Sequence, residues 1–363
     1  MSASEGPRRL APQLARAWRG PGAVQFGTDP ARAVVLSGLE AEDRRVLDLL
    51  DRGVSATALE SDARRRGTDP RRPALLLELL DRHGLLVATD RGGDAARARL
   101  RAEAWCRAVP RHRRGRGTGS RPARSVGVVG RTGLAVAIGA GFAAAGIGTV
   151  AVSPAGTVSP VDVMPGGATA AEVGGSLRAA GEAAVDRVAP GTRHTGRAAP
   201  DLGVIVSRHA HDAAEAATWL ASDVPHLAVL VRECDVVVGP LVIPGRGPCL
   251  HCLDLARRDR DPQWPTVLPQ LLEHRDDTAA GPVPGLGQVA AGLAVLVGLA
   301  ALDGDGAEAA GLAATLALPY AVPAWRRWAA HPACGCARWD ARTRDEAENP
   351  GEGRVRTGVT ISG

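Results

Sequence analysis

Four cysteines in two close-set pairs constrain this chain more than any other feature. They are Cys249 and Cys252 in GPCLHCLD, and Cys334 and Cys336 far downstream in HPACGCARW. Each pair sits on a Gly/Pro-rich knuckle, and two such pairs suit the tetrahedral four-sulfur shell of a closed structural zinc site. A closed shell has no position for substrate, so the metal is expected to staple rather than catalyse. Two disulfides or idle core thiols are the alternatives. The first is disfavoured because no secretory signal opens the chain and thiols are few for its length. His251 and His331 adjoin the pairs and could replace a sulfur, but are read as flanking residues. Cys106 and Cys234 are read as ordinary buried thiols.

With 363 residues the chain has room for two domains with proper cores. Aromatics are scarce, so those cores must be built from Ala, Val and Leu. The sequence has no lysine, and all 44 basic residues are arginine. That removes the P-loop lysine, Schiff-base chemistry and any lysine clamp on a nucleotide phosphate. A net charge of +5 could point to nucleic acid, but the excess gathers in Arg107–Arg124, which reads as a solvated linker. Gly133–Val152 carries no charge, yet its repeated glycines fit a strand, a turn and a packed helix. Val289–Leu302 is too short to span a membrane. Both read as buried helices of a soluble, cytoplasmic protein.

Residues 10–90 have a pattern of their own. Short β-like runs, Ala23–Phe26 and Ala33–Leu36, flank the turn Gly27-Thr28-Asp29-Pro30. Three amphipathic helices follow. The first carries Leu39, Val46, Leu47, Leu49 and Leu50, the second covers Ala56–Arg66, and the third runs Leu75–His83 to a cap at Gly84. This order predicts a small winged-helix-like domain. Its strand Ala33–Leu36 is expected at a sheet edge, where an extended peptide could add. Residues 91–124 are the Arg/Gly-rich linker. A second domain, 125–340, opens with SVGVVGRTG, a buried strand running into a Gly turn. Helix Leu134–Ala145 and strand Thr149–Val152 come next, the start of a doubly wound α/β fold. Further strands are expected at Leu202–Ser207, Leu227–Val231 and Asp235–Val238, with a helix near Ala213–Ala221. Residues 341–363 read as disordered.

A glycine fingerprint works by letting bare backbone amides at a helix N-terminus approach phosphate. Aligned on Gly130, this chain has Thr132 at the second glycine position, then Gly133, with Ala135 at the third. The threonine crowds the point of closest approach. The acidic residue expected after the second strand is missing, because that strand ends at Ser153. Nucleotide binding is therefore weakly signalled.

From Ser125 to Trp339 the chain resembles the ThiF family of adenylating enzymes, which have the ubiquitin-activating-type fold. The resemblance rests on the Rossmann-like start, VGPLVIPGRGPCLHCLD, RDRDPQWP, GLGQVAAGLAVLVGLAALDG and HPACGC. It is nearest to the ThiF-like proteins of ribosomally made, modified peptides, which carry a PqqD-like leader-recognition element ahead of this domain. Residues 10–90 match that element in their order of strands and helices. The resemblance implies a Rossmann-like α/β fold with Cys249, Cys252, Cys334 and Cys336 as structural zinc ligands. It also implies a precursor leader peptide and a YcaO-type cyclodehydratase as partners, and a homodimer. The family's catalytic residues do not carry over. Ser153 replaces an aspartate, Val158–Gly167 has no Arg or Gln, lysine is absent, and Arg208 stands where a magnesium-binding aspartate should follow Ser207. Arginine cannot hold magnesium.

The expectation is thus a non-adenylating pseudoenzyme without ATP or magnesium, whose edge strand Ala33, Val34, Val35 and Leu36 captures a leader peptide beside Leu75 and Leu79. Arginines Arg64–Arg66 and Arg71–Arg72 could attract an acidic leader, and Arg131 and Arg208 fill the vestigial nucleotide pocket. An active adenylyltransferase acting on a peptide or carrier-protein carboxylate is the alternative, with Asp162 and Asp201 as available acids. A winged-helix nucleic-acid binder with an arm at Arg111–Arg116 is the second. The apolar, acidic third helix argues against it.

Overall fold

The computed structural model describes residues 6–12, 14–29, 33–89, 100, 103, 118–195, 199–274 and 281–336. Cys106, the arginines Arg111–Arg116 and the tail 341–363 lie outside the described residues. The chain divides into two units, Met1–Thr118 and Gly119–Gly363.

In the first unit, strands β1 (Arg8–Leu10), β2 (Arg16–Trp18), β3 (Ala23–Phe26) and β4 (Val34–Ser37) precede helices α1 (Ala41–Arg52), α2 (Ala56–Arg66) and α3 (Arg72–Arg82), and β5 (Leu86–Ala88) closes the unit. An antiparallel sheet runs β2-β3-β4, and β1 pairs with β5. Helix α1 begins in a reciprocal capping box between Glu40 and Asp43, and α2 begins where the Ser55 hydroxyl accepts from the Ala58 N–H. Their apolar spacing turns Val46, Leu47, Leu50 and Leu59 onto Val24, Phe26, Leu36, Leu76 and Leu80 to make the core. Helix α3 starts three residues before the expected Leu75. Pro73 suits its first turn, and Arg72 is anchored to the Asp43 carboxylate at 2.7 Å.

The second unit comprises β6 (Ser125–Gly130), α4 (Gly133–Ala144), β7 (Thr149–Pro154), α5 (Leu177–Val188), β8 (Leu202–Arg208), α6 (Ala213–Ala221), β9 (His226–Val231) and β10 (Asp235–Val242). These are followed by α7 (Leu250–Arg258), α8 (Trp264–Glu273), α9 (Pro284–Asp303), α10 (Gly306–Ala309), β11 (Leu312–Ala317) and β12 (Ala324–Arg327). They form a seven-stranded mixed sheet in the order β12-β11-β10-β9-β8-β6-β7. Strands β7, β6, β8 and β9 are parallel, and the rest are antiparallel. Side chains alternate between faces. Val204 and Val206 meet α4 and α9 through Leu134, Ile138, Phe142, Ala290 and Ala294, while Ile205 and Ala228 meet α6 and α7 through Ala216, Leu250 and Leu253. This is the doubly wound arrangement expected of a Rossmann-like, ThiF-type fold.

Two expectations need correction. The linker does not run to Arg124: the second unit begins at Gly119, within a helical turn at Thr118–Ala123, and Arg121 of that turn is fully buried. The Arg121 guanidinium donates to the Asp303 carboxylate at 2.7 and 3.2 Å and to the Ala145 carbonyl at 3.0 Å. The apolar stretch Val289–Leu302 is part of a 20-residue helix, long enough by length and composition to cross a membrane. Half of its most apolar window is buried inside the protein, as in a core helix.

Candidate functional sites: a filled helix N-terminus, a sulfur knuckle and an open strand edge

Strand β6 has β7 on one side and β8 on the other, so the carboxyl ends of β6 and β8 flank the crevice where such sheets bind ligands. A cavity of about 220 Å³ lies there, lined by Gly130, Arg131, Val206, Ser207, Arg208, Ala210, Asp212 and Leu272. It falls below the ~300–1,000 Å³ of ordinary small-molecule pockets. Gly130 is held at φ +149°, and a Cβ there would come within 2.5 Å of the Val206 carbonyl oxygen. Glycine here thus answers to the neighbouring strand as well as to any ligand.

The first turn of α4 should present free N–H groups to a phosphate. It does not. The Gly133 N–H donates to Asp162 Oδ1 at 2.6 Å, and the Leu134 N–H donates to the Thr132 hydroxyl at 3.1 Å. The Ala135 N–H donates to the Thr132 carbonyl at 3.0 Å. Thr132 is therefore an N-cap, completely buried. Asp162 is itself fixed in a short capping box, where its Oδ2 accepts from the Ser159 N–H and hydroxyl at 2.9 and 2.7 Å. Arg208 places Nη2 3.5 Å from Asp162 Oδ1, and both side chains are buried. A carboxylate thus sits where a phosphate oxygen would, and a guanidinium sits where a magnesium-binding acid would be needed. The residues do not fit an ATP–magnesium group.

Ser153 lies exposed near the end of β7, aligned with Val129. Asp201, named with Asp162 as an acid near the pocket, is at the wrong end of the sheet. It accepts from the Ser125 N–H and hydroxyl at 2.8 Å and from Arg124 at 2.8 Å, at the start of β6. A strand of that length puts it roughly 20 Å from the crevice. Arg131 and Arg208 both line the cavity.

The four cysteines converge. Cys249 caps α7, Cys252 lies in its first turn, and Cys334 and Cys336 follow β12. Their sulfurs all lie within 4.8 Å of one another, with Cys249–Cys252 at 3.8 Å, Cys249–Cys334 at 3.6 Å and Cys252–Cys336 at 3.2 Å. A tetrahedral zinc with bonds of ~2.3 Å spaces its sulfurs at roughly 3.8 Å. The cluster therefore fits a structural zinc, which would lock α7 to the chain beyond β12. Crowding makes the thiols share protons. Hydrogen bonding with Cys252 pushes Cys249 up to about 12, whereas the bond with Cys249 lowers Cys252. His251 is exposed, and His331 is engaged with Asp259 at 2.7 Å, leaving sulfur alone as the shell. Cys234, expected to be buried, is exposed in the turn between β9 and β10.

In the first unit, β4 ends the three-stranded sheet. The Arg19 N–H donates to Ala23 and the Gly27 N–H to Ala15, which turns the Ala23 and Gln25 backbone toward β2 and the Val24 and Phe26 backbone toward β4. By antiparallel alternation Val34 and Leu36 bond back to β3, and the Val35 and Ser37 backbone groups face the open edge. Ala33 falls outside the strand and donates to the Asp29 carbonyl. Val35 is 43% and Leu75 64% exposed, whereas Leu79 packs against the core. Arg72, bonded to the Gly38 carbonyl at 3.2 Å, fixes the first turn of α3 beside the end of β4.

No protein-family model matches the chain, and no curated protein matches it. Solved structures do. MccB of E. coli in complex with ATP is similar over 91% of this chain and 99% of its own, at 12% identity and a TM-score of 0.62. MccB with SeMet MccA gives the same figures. The heterocyclase TruD is similar over 94% of this chain and 44% of its own, at 16% identity and a TM-score of 0.57. At these identities the likeness shows the fold.

Proposed function

We propose that this protein binds the leader segment of a ribosomally made precursor peptide and presents it to a YcaO-type modifying enzyme, with its ThiF-like unit acting as a zinc-stapled scaffold that does not adenylate. The first unit is then a PqqD-like element. The peptide adds as a strand along Val35 and Ser37, with Leu75 as an apolar contact. The similar folds of MccB, solved with MccA, and of the heterocyclase TruD support a peptide-related role.

The observation that carries the non-adenylating part is the Asp162 carboxylate on the Gly133 N–H, backed by buried Arg208. Calorimetric titration of the full chain with ATP and magnesium, alongside metal analysis of the same sample, tests it. The expected result is no heat and one zinc per chain. Micromolar ATP binding would overturn it.

A second reading, an ATP-dependent adenylyltransferase acting on a peptide carboxylate, is favoured by the position of the cavity at the switch point of the sheet. It requires pyrophosphate exchange that depends on peptide. It would also have to release Asp162 from Gly133 and Ser159.

A further inference from the structure

Arginines stacked on tryptophan gather beside the sulfur knuckle. Strand β12 and the residue after it put Arg326 and Trp328 on one face, two positions apart, and the Trp328 N–H donates to the Gly311 carbonyl at 2.9 Å, which continues the pairing. The Arg326 guanidinium lies 3.9 Å from the centre of the Trp328 ring, and that of Arg260, just past α7, lies 5.9 Å from it. Both of these arginines are exposed. On α7 itself, Arg257 stands 4.9 Å over the Trp264 ring. Such contacts restrain each guanidinium and leave its N–H groups for an anion.

These cations are short of carboxylates. Arg232 is spent on Asp235 at 2.6 and 2.7 Å, and Arg258 on Asp259, which also takes His331. Asp261 accepts from the Gln263 N–H at 2.9 Å. Arg257 has Asp254 only at 3.4 Å, and Arg260 and Arg326 make no ion pair among the described residues. Burial, opposed by Asp254 and reinforced by Arg232 and Arg326, holds the Arg257 guanidinium below its ordinary pKa. An anion arriving there relieves repulsion as well as gaining hydrogen bonds. The stacked guanidinia compete with nucleobases for the indole faces, and their forks suit carboxylates, so the surface favours an acidic peptide over single-stranded nucleic acid.

The chain supplies such a segment from the same place. Trp328 and Cys336 pack against one apolar cluster with Cys249, Leu250, Cys252 and Leu253, and the Cys336 sulfur is 3.2 Å from that of Cys252. Arg257 is five residues, about 8 Å, further along the same helix. Beyond Cys336 the sequence reads ARWDARTRDEAENPG, with Asp345, Glu346 and Glu348 nine to twelve residues on. Nine extended residues reach up to about 30 Å, ample for that gap, and so short a tether gives an effective concentration of about a millimolar. We propose that the acidic run Asp345, Glu346 and Glu348 docks in cis on Arg257, Arg260 and Arg326, so that an acidic segment of another protein takes this surface only by displacing it. The site lies wholly within the second unit and rests on neither the leader-peptide nor the non-adenylating reading.

Fluorescence anisotropy with a labelled peptide of residues 345–351 tests it, on the full chain and on a full-length variant carrying Asp345→Asn, Glu346→Gln and Glu348→Gln. The variant is expected to bind the peptide saturably, more weakly as salt rises, and at least about tenfold more tightly than the unmutated chain, whose own acidic run is in place. Arg326→Gln added to that variant should weaken binding about three- to tenfold. Its melting temperature should not move, because Arg326 is exposed and makes no ion pair among the described residues. Equal binding by the variant and the unmutated chain, no saturable binding, equal binding of a peptide with the same three carboxylates amidated, or no effect of Arg326→Gln would each overturn the proposal, as would tighter binding of an oligothymidylate. The comparison of the first two proteins alters no described residue, so it does not depend on a variant folding.

Discussion

Asp162 does at the N-terminus of α4 what a phosphate does in a nucleotide-binding relative of this architecture: it satisfies the first amide and offsets the positive end of the helix. Because it also faces Arg208, removing it takes a carboxylate away from a buried guanidinium. Asp162→Ala should therefore cost about 3 kcal/mol in urea unfolding, and Asp162→Asn, which can still accept from Gly133, should cost less. Neither should create ATP binding, since Ser153 and the missing lysine remain. The sequence displayed Thr132, Ser153 and Arg208 as departures from a nucleotide site. It did not reveal that Asp162 fills the vacancy, although Ser159-Pro160-Val161-Asp162 is a readable capping box, because which N–H the second carboxylate oxygen reaches depends on tertiary placement. Two histidines carry a residue-scale prediction of another kind. Burial, with help from Arg257 and Arg232, pushes His211 down to about 3, and burial also lowers fully enclosed His226. Both are neutral in the fold, whereas the unfolded chain takes up protons below 6.5. The unfolded state then binds more protons, so the full contribution is present above 6.5 and declines as pH falls toward about 3. Urea midpoints should drop between neutral and mildly acid pH, and His211→Leu should flatten that drop.

At the scale of elements, α9 is packed through small residues. A Cβ on Gly298 would come within 2.5 Å of Phe142 Cζ and 2.8 Å of a Leu202 methyl. Gly298→Val should lower the melting temperature through overpacking of about 1–3 kcal/mol, measured by calorimetric scanning. The same helix explains a boundary the sequence concealed. Pro284, Gly285 and Gly287 look like a loop, but proline is welcome in a first turn and Gly287 sits against Pro282 and Met164, so the helix starts earlier. Strands with buried β-branched runs, such as β6 and β8, were legible. The short β1, β2, β5 and arginine-bearing β12 were not, because their pairing comes from partners distant in sequence rather than from local pattern. Helices α5 and α8 also went unread. On the proposed function, Val35→Pro removes an outward N–H from β4 and should abolish leader-peptide capture in a pull-down with the precursor, leaving zinc content unchanged.

For the whole molecule, the cysteine cluster joins a helix after β10 to the chain beyond β12, so it closes a long loop across the antiparallel half of the sheet. Cys252→Ser should cost the metal and unfold the second unit while the first, with its own core, stays folded. Unchanged thermal stability in that variant would sink the staple. The cysteine spacing made this site readable from sequence alone, since ligand type and knuckle form are local even when the pairs are far apart. The buried Arg121–Asp303 pair was not readable, for a solitary arginine at the end of an arginine-rich run gives no sign of entering a core. Its consequence is a rule about where the molecule can be cut. A fragment beginning at β6 would omit Arg121 and its bonds to the buried Asp303 carboxylate and the Ala145 carbonyl, whereas one beginning at Thr118 keeps the latch. Limited proteolysis should accordingly release a durable core whose first residue lies upstream of Arg121.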